Sequence, residues 1–217
     1  MLNRAKQFLF STKNAKEVTI NSFWSITGTV ISKGLAFLGW IIVANYIGKE
    51  LNGEVGIIRS TINLFLIFVG SGLGLTATRY ISQYKTEGNL KTAKIISLTL
   101  VTTIVFGIFI SLLFYIFSPN LASTLNAPQL TSTLKLGTFL LFFGGLNGSL
   151  KGCIEGFELF KESAIVNILF SLALLIGLYA GAIDKNVDNI FFGFLISTVL
   201  YTVLQLFILC KEFKKRE

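Results

Sequence analysis

Lys33 interrupts the apolar stretch Asn21 to Gly48, NSFWSITGTVISKGLAFLGWIIVANYIG, and brings to it the strongest chemistry the stretch has. The run after it, Gly34 to Ile47, has fourteen residues. As a helix that is about 21 Å long, against about 30 Å of hydrocarbon in a bilayer. Forward extension meets Lys49 and Glu50 at once, so a spanning helix must reach back through Lys33 towards Phe23 and Trp24. Lys33 then lies inside the bilayer by at least a turn. A cation there is costly and usually faces a bundle interior or a wet cavity; the alternative is that its long stem carries the ammonium to the nearer face. Arg59, one to two turns past Glu54, starts from the opposite face and is either an anchor at the headgroups or a second ligand contact. Asn21, Asn45, Asn63, Asn147 and Asn167 add amides inside or at the edge of the bilayer, where asparagine either bridges to a neighbouring helix or touches a ligand. Two cations lining a cavity suit an anion, and phosphate or diphosphate oxygens are the usual partners of Lys and Arg. These residues point to a path for an amphipathic anion.

Other chemistry is missing. Histidine is absent, which removes His-based triads and His-ligated metal sites. The acids (Glu17, Glu50, Glu54, Glu87, Glu155, Glu158, Glu162, Asp184, Asp188, Glu212, Glu217) all fall in expected loops, tails or helix ends, so no carboxylate pair is expected in the membrane interior for acid and base work. There is no GxxxxGK[ST] phosphate loop. Cys153 and Cys210 have no metal or disulfide spacing and read as packing residues. No catalytic residue, metal or cofactor is expected, and the chain reads as a non-enzyme.

The elements that must hold Lys33 and Arg59 are spanning helices. With 53% hydrophobic and 14% charged residues, the chain falls well below the roughly 25% charge of soluble domains. The net charge of +8 sits in short clusters between apolar segments, a pattern of membrane topology and not of nucleic-acid binding. Six segments of spanning length are expected, at about 21–47, 60–78, 95–117, 133–153, 164–183 and 190–209, the third ending where Ser118-Pro119 stops a helix. The expected fold is an all-α membrane protein, a six-helix transmembrane bundle over 19–210 between a basic segment 1–18 and a basic tail 211–217. Segment 1–18 carries no cleavable signal, is expected to be retained, and can lie along the surface through Leu2, Phe8 and Leu9. Arg4, Lys6, Lys13, Lys16, Arg79, Lys85, Lys91, Lys94, Lys151, Lys161, Lys211, Lys214, Lys215 and Arg216 fall on one side, and Lys49, Lys135 and Lys185 on the other. The positive-inside rule then makes both termini cytoplasmic. Trp24, Tyr46, Tyr80, Tyr84 and Tyr115 fall near helix ends, where an aromatic belt would lie. Gly144, Gly148, Gly152 and Gly156 share one helix face, and Gly70 with Gly74, and Ala173, Gly177 and Gly181, repeat the pattern. Such faces let backbones approach closely, either within one bundle or at a seam with a second.

Three stretches carry a resemblance: ISKGLAFLGWIIVANYIGKELNGEVGIIRS, then GLGLTATRYISQYKTEGN, then GCIEGFELFKESAIVN after the fourth segment. Together, over roughly residues 15 to 210, the chain resembles the amino-terminal half of bacterial and archaeal polysaccharide, or O-antigen, flippases of the multidrug, oligosaccharidyl-lipid and polysaccharide exporter superfamily. The resemblance implies movement of a polyprenyl-diphosphate-linked oligosaccharide across the cytoplasmic membrane by alternating access between two six-helix lobes around a cationic cavity. Lys33 and Arg59 are the positions that it would make headgroup contacts. Such proteins have twelve to fourteen spanning helices, so six make one lobe of a two-lobed exporter; a second copy, related by an axis along the membrane normal, or a separate chain would supply the other. A truncated product or a fragment fits the length equally. Other exporters of the superfamily (drug exporters, peptidoglycan-precursor flippases) and a non-transporting scaffold or inactive remnant are the alternatives, and the absence of a buried carboxylate counts against a cation-coupled drug exporter.

Overall fold

The computed structural model describes residues 12–85 and 89–216, with the side chains of 12–17, 70, 71, 89 and 216 left aside. Leu2, Phe8 and Leu9 therefore lie outside the described residues, as does the packing at Gly70. Five helices and one 3-10 turn make up the described residues: α1 (Thr12–Tyr84), α2 (Asn89–Thr124), the turn Pro128–Leu130, α3 (Thr131–Gly156), α4 (Phe160–Ile183) and α5 (Val187–Arg216). Helix α1 is two helices joined at Gly48, whose φ of 79° and ψ of 178° reverse the chain without a loop. That conformation is open essentially to glycine alone. With arms 12–47 and 49–84, α1 supplies two passes, and the described helices make six passes.

Neighbouring contacts fix the directions. The first arm runs alongside α4, Gly28 against Ala164 and Gly39 against Leu175 and Leu178. The second arm runs alongside α3, Ile62 against Gly137, Leu66 against Gly144 and Ile81 against Gly156. Helix α2 is antiparallel to α3, with Thr103 and Ser149 hydroxyls 2.6 Å apart, and α5 is antiparallel to α4, with Gly193 on Gly177. Both ends of the described chain thus lie at one end of the bundle, and Gly48, the 125–130 turn and the 184–186 turn lie at the other.

Among the described residues, four stretches are long and apolar enough to cross a membrane: Val18–Val69, which holds most of both arms, Leu90–Thr124, Phe160–Ile183 and Val187–Lys215. Helix α3 falls short of that standard, and its position explains why. It packs on α1, α2 and α5 and buries residues along its whole length, from Thr133 to Gly156. A helix surrounded by others needs little lipid-facing surface, so it tolerates glycines and polar residues. The protein is a multi-pass, all-α membrane protein.

Several boundaries differ from expectation. The connection between the first two segments is helical up to Gly48 and again from Lys49, so no loop separates them. The tail from Lys211 continues α5 to Arg216. Pro119 does not stop the third segment; α2 runs through it to Thr124. Proline removes the N–H that would serve the carbonyl of Tyr115, and Ser118, fully buried, donates its hydroxyl to that carbonyl at 2.8 Å instead. The freed backbone group is satisfied locally, as it must be away from water.

Candidate functional site

Reversal at Gly48 lays residues 33–44 of the first arm opposite residues 52–59 of the second. The groove between them has a volume of about 550 Å³ and is lined by Lys33, Phe37, Trp40, Asn52 and Arg59 among others. Behind it, where the arms meet α3, α4 and α5, lies an inner cavity of about 300 Å³. Its walls are aromatic (Trp40, Phe170, Phe194, Tyr201) and its polar atoms come from Arg59, Asn63, Asn147, Lys151 and Thr198. A third hollow, about 330 Å³, adjoins it along the seam between the second arm and α3 and adds Thr78 and Glu155. Trp40 and Arg59 border both the groove and the inner cavity; Lys151, Leu66, Gly144 and Gly148 border both the inner cavity and the third hollow.

Arg59 is the hinge of this arrangement. Its guanidinium lies 3.8 Å from the centre of the Trp40 ring, and Trp40 in turn stands edge-on to Phe194 at 6.0 Å. Among the described residues Arg59 makes no ion pair. The ring face attracts a cation but supplies no counter-charge. Lys33 also makes no ion pair among the described residues and is exposed on the groove wall, a cation open to whatever the groove holds. The structure therefore brings Lys33 and Arg59 to one groove and carries only Arg59 into the inner cavity.

The amides divide. Asn147, buried, donates to the carbonyl of Thr198 at 3.2 Å and accepts from the Thr202 hydroxyl at 2.8 Å, tying α3 to α5. Asn167 accepts from the Tyr201 hydroxyl, tying α4 to α5. Asn63 lines the inner cavity, while Asn45 is exposed and Asn21 half-buried.

Glycine contacts shape the walls. Added carbon at Gly152 would overlap the carbonyl of Gly74, and at Gly74 it would meet the carbonyl of Gly148 at 2.5 Å. Thr78 closes the same seam by donating to the Gly152 carbonyl at 2.9 Å. Gly144 rests on Leu66 and Gly156 on Ile81. This face of α3 is thus taken up inside the chain, by the second arm of α1, and leaves little room for a second bundle there; Gly148 alone of the four is exposed, on the cavity side. Gly177 and Gly181 meet Gly193 and Asn189 of α5.

Lys151 lines two of these hollows from within α3. The sequence groups it with the cations of the basic side, although it falls within the expected fourth segment, 133–153, and that position is the available signal. Aromatic lining by Phe170, Phe194 and Tyr201 carried no such signal, because an aromatic residue in a spanning helix ordinarily packs. No group of three or more Cys, Asp or Glu that could hold a metal exists among the described residues.

A family of polysaccharide biosynthesis proteins is matched over residues 18–216. Among curated proteins, the chain is similar to the succinoglycan biosynthesis transport protein ExoT of Rhizobium meliloti (strain 1021), 28% identical over 130 residues, which is 60% of this chain. That stretch spans 25% of the relative's length. No solved structure matches the chain. All six passes lie essentially within the matched residues, and the chain belongs to the polysaccharide biosynthesis protein family.

Proposed function

We propose that this chain moves a polyprenyl-diphosphate-linked oligosaccharide from the inner to the outer leaflet of the cytoplasmic membrane, acting by alternating access as one lobe of a two-lobed exporter. Its termini are then cytoplasmic, and the second lobe comes from another copy or another chain. Family membership and a relative named for transport in succinoglycan biosynthesis support the transport class. The observation that carries the substrate class is Arg59, a cation without a counter-charge in the wall common to a groove and a cavity. A diphosphate satisfies it with charge-assisted hydrogen bonds, and Lys33 reaches the same ligand from the groove side.

Reconstituted vesicles loaded with a fluorescent lipid diphosphate oligosaccharide test this. Arg59→Ala is expected to slow translocation by about tenfold or more, the loss of one charge-assisted contact, and Lys33→Ala by a smaller factor because Lys33 is exposed. Undiminished translocation by both variants would remove the headgroup role.

A further inference from the structure

Lys151 borders the inner cavity and the third hollow at once. The ion pair it makes is with Glu155, one turn on in α3, at 3.7 Å, with the lysine side chain 40% and the glutamate side chain 28% exposed. This is a loose pair, and pairs at i,i+4 spacing stabilise a helix only weakly. Glu155 has a second partner, the Ser163 hydroxyl from the first turn of α4, 3.4 Å away. Losing the lysine would therefore not strip the carboxylate of hydrogen bonds. Arg59, which no carboxylate neutralises among the described residues, lines the same cavity nearer the Gly48 end. An oxyanion entering here meets one unpaired guanidinium and one ammonium on a weak tether, between aromatic walls that reduce screening.

We infer that Lys151 exchanges counter-ions: it leaves Glu155 to contact an oxyanion bound in the inner cavity, which Arg59 also lines, and Glu155 is the resting partner that holds it until then. The inference rests on the reading of this cavity as an anion site. The ligand class is a phosphate or carboxylate, carried by the lipid diphosphate or by an acidic sugar.

The test uses the whole chain in lipid nanodiscs with Trp24→Phe, which leaves Trp40 as the sole tryptophan, seated against Arg59. Its emission is titrated with geranylgeranyl diphosphate and, separately, with a lipid-free glucuronate oligosaccharide. Lys151→Gln is expected to weaken binding of one of the two about tenfold, Lys151→Arg to recover most of it, and Glu155→Gln to tighten it severalfold because the competing carboxylate is gone. The probe that responds identifies which part of the ligand carries the oxyanion. Should Arg59→Ala weaken binding while Lys151→Gln and Glu155→Gln leave Kd unchanged, the exchange is wrong and the anion site stands. Weaker binding in Glu155→Gln would also overturn it, since that outcome assigns Glu155 a supporting structural role. Binding insensitive to Arg59→Ala and Lys33→Ala would instead remove the anion site itself.

Discussion

At Gly152 the fold leaves no room for one more carbon. The position backs onto the carbonyl of Gly74, and backbone, unlike a side chain, cannot rotate away. Gly152→Ala is therefore expected to push the second arm of α1 from α3 and destabilise the bundle by about 1–3 kcal/mol, the usual scale of overpacking. Gly34→Ala is the control, because nothing stands within 4 Å of a carbon added there. Reversible unfolding in mixed micelles should separate the two, and equal stabilities would mean that the seam is looser than its geometry. The same residue-level logic bears on Lys33, Arg59 and Lys151. The first is exposed, the second lies over an indole, and the third is held by a neighbouring carboxylate.

Elements turn on two local devices. Gly48 reverses α1 in a conformation that disfavours any side chain, so Gly48→Ala is expected to cost about 1–3 kcal/mol and to part Trp40 from Arg59. The readout is a red shift of Trp40 emission in the Trp24→Phe background; an unchanged spectrum would mean that the arms hold together without the reversal. In α2 the pair Ser118-Pro119 makes a reciprocal prediction. Ser118→Ala leaves the Tyr115 carbonyl unserved and should destabilise by about 1 kcal/mol. Adding Pro119→Ala restores a backbone N–H four residues on from Tyr115 and should recover that loss. A double-mutant cycle measures the coupling directly, and purely additive effects would show that the Ser118 bond to Tyr115, 2.8 Å in the structure, contributes nothing.

For the whole molecule, six passes put both ends of the described chain at one end of the bundle. Cys210, exposed near the end of α5, and a cysteine at Glu50 beside the Gly48 reversal should react with an impermeant maleimide from opposite faces of oriented vesicles, with Cys210 on the cytoplasmic face, while buried Cys153 stays unlabelled. Labelling of both from one face would contradict the topology. That both ends of the described chain share one end of the bundle was legible in the sequence, because spanning helices announce themselves by apolar length and by the basic clusters between them, which depend on local composition alone. The fourth segment, too, counts as a span on its length, although α3 falls short of the other helices in hydropathy. What the chain order could not reveal is which helix faces which. That Gly74 meets Gly152, that Pro119 is bridged and not a stop, and that Lys151 shares a cavity with Arg59 all depend on how each helix is rotated about its axis and on the partner it packs against. Those rotations follow from side-chain fit between segments far apart in sequence, as between Thr78 and Gly152 or Trp40 and Phe194, and tertiary packing alone decides them.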